Sequence, residues 1–263
     1  MEIAGYIASF FIGISLGLIG GGGSILTLPV LVYLFGLTPG IAISYSLFVV
    51  GSTSLVGSFN SYRKKLIDFK TALLFGISSV ITVFVTRKFL LPLIPDVIRL
   101  GNYSLPFSVL TMLLFAILML LASVKMITAK PLKEETIKVN KSIAMLLLYG
   151  VGIGLITGFL GAGGGFLLIP ALVLILKLPM KKAIGTSLFI IALNSSVGFI
   201  ADIGHYNIEW KFLLTISTIA ISGVLIGGIL SKKIEGDKLK KGFGWFVLLM
   251  GIYIIVKELV YKS

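Results

Sequence analysis

Two glycine runs, set 141 residues apart, constrain this chain more than any other feature. Gly20-Gly21-Gly22-Gly23-Ser24 is followed by Pro29, and Gly161-Ala162-Gly163-Gly164-Gly165 is followed by Pro170 at the same distance. Each run interrupts a long apolar stretch. Residues 13–70 and 154–211 align at that offset without a gap, and 20 of the 58 positions are identical. The matches include Gly13/Gly154, Gly17/Gly158, Ala42/Ala183, Ser46/Ser187, Ser54/Ser195, Gly57/Gly198 and Lys70/Lys211. The chain is therefore read as a duplication with a glycine run at the centre of each copy.

The surroundings of the glycines decide the solvent. The 263 residues are 57% apolar and 13% charged, where a soluble domain carries about 25% charged residues. The mean hydropathy is +1.10. Apolar runs of about 20 residues separate short charged clusters, which is the length needed to cross a bilayer core. The formal charge of +13 sits in those short loops, as membrane orientation requires, so nucleic acid is not the expected partner and the lipid bilayer is. Cysteine is absent, which excludes disulfides and thiolate metal sites. The start, from Met1 to Tyr6, lacks the basic region of a signal peptide, so the first apolar run is expected to be retained.

In order, the apolar runs are 3–19, 24–36, 40–61, 69–90 and 105–127, with a mixed segment at 91–103. The polar stretch 128–141 is a linker, and the second copy repeats the order as 142–160, 166–176, 183–203, 210–230 and 242–260. The expected domains are a first transmembrane repeat, 1–127, a cytoplasmic linker, 128–141, and a second repeat, 142–263. The short run 24–36 reaches only about 20 Å as a helix, so it is expected to return to its own side as half of a glycine-broken hairpin.

Five elements per copy would make the second copy enter from the opposite face. The charges test this. The loop 36–40 has none, while its counterpart carries Lys177, Lys181 and Lys182. The next loop reverses the bias, with Arg63, Lys64, Lys65 and Lys70 against Lys211 alone. The positive-inside rule then puts 62–70, 125–141, 177–182 and 231–241 in the cytoplasm and both termini, 36–40, 91–103 and 204–209 outside; Arg87, Lys88 and Arg99 are the exceptions. The expected fold is an all-α polytopic membrane protein of two inverted-topology repeats, each a glycine-broken hairpin plus three transmembrane helices. Such repeats mark secondary transporters. A static scaffold, or a unit duplicated in parallel, is the plainer alternative.

Backbone groups freed by a broken helix are tolerated in the membrane only inside protein or beside a water-filled cavity. The short helices should start at Ser24 and near Gly165, turning N-termini with free N–H donors toward the glycines. The candidate ligand-binding set is Gly20 to Ser24 and Gly161 to Gly165. The third element of each copy adds Ser46 and Thr53 in one copy and Thr186, Ser187 and Asn194 in the other. The competing role for all of them is close helix packing. Asp202 and the single histidine, His205, fall at the outer end of their helix and are expected at a surface or interface. No histidine cluster or acidic pair supports enzyme chemistry, and no cofactor or metal is expected.

The paired glycine motifs with Pro29 and Pro170, together with Ala183-Ile-Gly-Thr-Ser-Leu188, resemble the sulfite exporter family, also called TauE/SafE or the toluene sulfonate uptake permeases. The first copy reads Ala42-Ile-Ser-Tyr-Ser-Leu47, with Tyr45 in place of the threonine. The resemblance covers nearly the whole chain. It implies a carrier of sulfite, sulfoacetate, sulfonates or related small anions across the cytoplasmic membrane of a prokaryote. The residues by themselves imply a small anionic substrate. A carrier of another solute, such as an amino acid, or a scaffolding subunit are the rivals.

Overall fold

A computed structural model describes residues 2–21, 23–95, 97–100, 103–128, 143–161, 164–176, 178–231 and 236–261. Gly22, Ala162, Gly163, Lys177 and all of the expected linker except Thr128 lie outside the described residues.

The apolar runs form helices with bounds close to those expected. The first copy holds α1 (Glu2–Ile19), α2 (Ser24–Tyr33), α3 (Pro39–Arg63), α4 (Phe69–Val85) and α5 (Phe107–Thr128). The second holds α6 (Ile143–Leu160), α7 (Gly165–Pro170), α8 (Met180–Asp202), α9 (Trp210–Leu230) and α10 (Gly236–Tyr261). Pro39 opens α3 where its missing N–H costs nothing. Asp68 caps α4 by accepting from the Thr71 N–H at 3.1 Å. Past Pro170, α7 widens into a π turn over Ala171–Ile175, and α4 runs on through a π turn at Thr86–Leu90. The mixed segment 91–103, with the three residues after it, holds something its composition did not announce. A two-stranded antiparallel hairpin pairs β1 (Val97–Leu100) with β2 (Tyr103–Pro106), Val97 opposite Pro106.

Apolar side chains fill the interior and also face outward. Among the described residues, five helices are long and apolar enough to cross a membrane: α3, α6, α8, α9 and the segment Phe69–Leu93. Leu73, Ile77 and Ile81 form an outward stripe on α4, and Ile3, Ile7 and Phe11 do so on α1. The helix interfaces bury glycine, serine and threonine alongside that apolar core. Large exposed apolar faces of this extent call for a lipid solvent, and small residues let helix backbones approach where lipid provides no net hydrophobic drive. The chain is a helical, polytopic membrane protein.

The copies pack by exchange. α1 lies along α9 and α6 lies along α4; α3 crosses α8, and α5 packs on α10. The glycine contacts repeat at the same offset. A Cβ on Gly13 would run into the Ala220 backbone, and one on Gly154 into the Ser79 backbone. Direction is legible from the same contacts. Gly57 faces Leu188, Gly198 faces Leu47, and Gly185 faces Leu66 and Ser61, so the repeat-equivalent helices α3 and α8 run antiparallel.

Candidate functional site

Each glycine run reverses the chain. Gly23 packs on Ile12 and Leu16 of α1, and Gly164 packs on Ile153 and Thr157 of α6, at identical spacings in the two copies. The reversal uses left-handed backbone at Gly20 (φ +80°), Gly161 (φ +64°) and Gly164 (φ +67°), which side chains other than glycine adopt at a cost. Each loop then docks on the third helix of the opposite copy. Gly20 abuts Ile184 and Gly161 abuts Ile43, an equivalent pair. The loops also touch each other. A Cβ built on Gly21 would lie 2.5 Å from the Gly165 carbonyl oxygen, and one on Gly165 would lie 2.9 Å from Gly21 Cα. Gly20, Gly21, Gly23, Ser24, Gly161, Gly164 and Gly165 are all buried.

The polar candidates split into occupied and unoccupied groups. Ser24 Oγ donates to the Gly21 carbonyl at 2.7 Å and steadies its own loop. Ser187 Oγ donates to Ile184 O at 2.9 Å and reaches Gly20 O, in the other copy's loop, at 3.3 Å. Thr53 Oγ1 donates back to Val49 O at 2.6 Å, and Asn194 Nδ2 donates to Ser79 Oγ at 2.7 Å. Asn194 Oδ1 and the hydroxyls of Ser46, Ser54 and Ser195 are buried without a hydrogen-bond partner. Thr186 Oγ1 accepts from the Asp68 backbone N–H at 2.9 Å.

That last bond explains one of the two departures in the repeated motif, tyrosine for threonine; the other is Ser44 for Gly185. Tyr45 stands where Thr186 stands in the second copy, and its hydroxyl accepts from the Glu209 N–H at 2.7 Å. Asp68 and Glu209 are themselves equivalent, each preceding the fourth helix of its copy. Tyrosine and threonine thus do the same work, tying a third helix to the start of the other copy's fourth.

Of the surface and the interface expected for Asp202, the structure shows an interface between helices. Asp202 is not at a surface: it is 5% exposed and ion-paired with Arg87, itself 5% exposed. Arg87 Nε donates to Asp202 Oδ1 at 2.8 Å, Nη2 donates to Oδ2, and Nη1 donates to the Gly158 carbonyl at 3.2 Å. Unpaired, either charge would be strongly disfavoured there. His205 is exposed, as expected. A signal for the pair did exist. The buried face of α4 runs Ala72, Phe75, Gly76, Ser79, Val83, and the next helical steps of three and four land on Thr86 and Arg87, while Lys88 points out. A second carboxylate, Glu258, is also buried and accepts from the Tyr33 hydroxyl at 3.1 Å. Among the described residues no group of histidine, cysteine or carboxylates could hold a metal ion.

A glycine-looped helical bundle with apolar outer faces, built by two exchanged copies, defines the class: a multi-pass membrane protein. The family described as Sulfite exporter TauE/SafE matches residues 6–254, and the chain belongs to that family. It is 28% identical over 250 residues to a probable membrane transporter protein of Xylella fastidiosa, covering 93% of this chain and 91% of the relative. Identity is also 28% to the probable membrane transporter protein YunE of Bacillus subtilis, over 94% of this chain and 97% of that one. A probable membrane transporter protein of Methanocaldococcus jannaschii is 26% identical over 95% of this chain and 94% of its own length. No solved structure matches.

Proposed function

We propose that this membrane transporter moves a small anion, sulfite or an organosulfur anion such as a sulfonate or sulfoacetate, across the cytoplasmic membrane of a prokaryote by alternating access. The observation that carries the reading is the meeting of two glycine loops at Gly21 and Gly165, with buried, unpartnered oxygens on Ser46 and Asn194 of the helices they dock on. Buried polar atoms without partners are rare and ask for an explanation; a transiently bound solute and its water supply one. Backbone amides at the starts of α2 and α7 carry partial positive charge, and glycine lets a ligand reach them. Gly22, Ala162 and Gly163 complete the proposed loops.

Inverted topology belongs to the same proposal. It is supported by the antiparallel crossing of α3 and α8, because a repeat axis along the membrane normal would leave equivalent helices parallel. It places both termini outside and the 128–141 linker in the cytoplasm. Transport would then exchange two near-equivalent arrangements of the copies, with the loop contact opening toward one face at a time. The glycines' tight backbone contacts also favour a packing role in the conformation described. The two roles are compatible if the loops part when solute enters.

The test is flux. Purified protein in vesicles should accumulate labelled sulfite or sulfoacetate, and excess unlabelled anion should compete. A protein that moves amino acids but no sulfur oxyanion would replace the substrate assignment. Zero flux of every solute, with capture in a stable complex, would replace transport by scaffolding.

A further inference from the structure

We infer that Arg87 is the cation of an oxyanion subsite at the second glycine loop, and that the Asp202 carboxylate fills this subsite as an internal substitute when no solute is bound. The inference rests on the anion-carrier reading above and assigns it a charged residue.

The geometry is that of an occupied oxyanion site. Arg87 presents Nε and Nη2 side by side to the two oxygens of Asp202. A planar guanidinium makes the same two-pronged contact with any small oxyanion, whether carboxylate, sulfite or sulfonate. Its third arm, Nη1, is anchored on the Gly158 carbonyl at 3.2 Å. Gly158 is three residues before Gly161, so the cation is fixed to the entry of the loop.

Two more groups point the same way. Thr86 Oγ1 and Thr157 Oγ1 are 0% and 1% exposed by residue and have no hydrogen-bond partner. A Cβ on Gly158 would meet Thr86 Oγ1 at 3.3 Å, and one on Gly164 would collide with Thr157 Oγ1. The guanidinium and the two unsatisfied hydroxyls thus all lie along the short stretch from Thr157 to Gly164. A carboxylate has only two oxygens, both of which Arg87 engages. A sulfur oxyanion brings a third, which can accept from a threonine hydroxyl.

The first copy lacks the device. Positions equivalent to Arg87 and Asp202 are Gly228 and Ser61. A charge that served the duplicated framework would be expected twice. This one occurs once, beside one loop.

Asp202→Asn tests the idea, because it removes the internal competitor but keeps a polar group of the same shape. Sodium sulfite and sodium methanesulfonate are titrated into the purified, detergent-solubilised full chain, with sodium chloride as the control, and both Kd and the unfolding temperature are followed. We expect the variant to bind the sulfur oxyanions roughly tenfold more tightly than wild type. We also expect it to be unstable in chloride and rescued by sulfite, even if it is largely unfolded without it. The Arg87→Gln/Asp202→Asn double variant, with no lone charge, should lose that binding. A purely structural ion pair predicts otherwise: weakened or unchanged affinity in Asp202→Asn, no specific rescue, and binding within about twofold of wild type in the double variant. Any of these overturns the assignment of Arg87 while leaving wild-type transport intact. If wild type neither binds nor moves either anion, the carrier reading falls, and this inference falls with it.

Discussion

The two glycine loops share a backbone plan and differ in their electrostatics. Both begin with left-handed glycine, Gly20 and Gly161, and both press on an isoleucine of the opposite copy. Beyond that they diverge. Gly23 is right-handed while its counterpart Gly164 is left-handed. The first loop leads into ten uninterrupted residues of α2, the second into six residues of α7 and a π turn. The first is flanked by Gly228 and Asn60, with a Cβ on Gly228 only 3.3 Å from the amide nitrogen. The second is flanked by the Arg87–Asp202 pair. Duplication has kept the contacts that hold the copies together and freed the side chains around each loop to specialise. Exchange packing explains which changes were allowed: Tyr45 for threonine preserved a bond, whereas Arg87 added one.

The largest effects should come from filling the contact between the loops. Gly21→Leu or Gly165→Leu forces a side chain into opposing backbone and should abolish flux. Gly152→Leu, which meets nothing within 4 Å on α6, should leave flux and thermal stability near wild type. Equal damage from all three would remove the loops' special status. Separating loss of folding from loss of transport needs only gel filtration beside the flux assay.

Next comes the asymmetry. Arg87→Ala strands a buried carboxylate and should cost about 3–5 kcal/mol. The equivalent change, Gly228→Ala, meets one flexible amide and should cost under about 1 kcal/mol. Thermal unfolding in one detergent compares them; similar losses would mean that Arg87 is not held as described. Gly20→Ala and Gly161→Ala should each lose at least about 1–2 kcal/mol from the left-handed backbone alone, to the same extent in both copies. Smaller than the loss at Arg87 is that expected for the pair Tyr45→Phe and Thr186→Val. Each deletes one hydroxyl acceptor and should cost roughly 1 kcal/mol. A large difference between them would break the equivalence of the two bonds.

Much of this was legible in the chain itself. The helices followed from apolar runs, and α3 and α8 from the shared Ala-Ile and Ser-Leu-Phe residues of the repeat. The glycine loops were marked by composition, and their reversal by the shortness of the run after Ser24. Three things escaped for physical reasons. Arg87 and Asp202 are 115 residues apart, and each sits at a helix end where charge is ordinary. Only helical phase, carried past Val83, separates buried Arg87 from exposed Lys88. The bond of Thr186 escaped because it goes to a backbone N–H, which no side-chain pattern reveals. The β1–β2 hairpin is four residues a side, too short for alternation to stand out beside Pro92 and Pro95.

The central claim is that equivalent parts of the two copies lie on opposite sides of the membrane, and one labelling experiment addresses it. Lys64 and His205 are equivalent by the 141-residue offset, and both are exposed. The chain has no cysteine, so Lys64→Cys and His205→Cys each create a single reporter. A membrane-impermeant maleimide added to intact cells should label the cysteine at 205 and not the one at 64. Inside-out vesicles should give the reverse. Labelling of both from the same side would contradict the account.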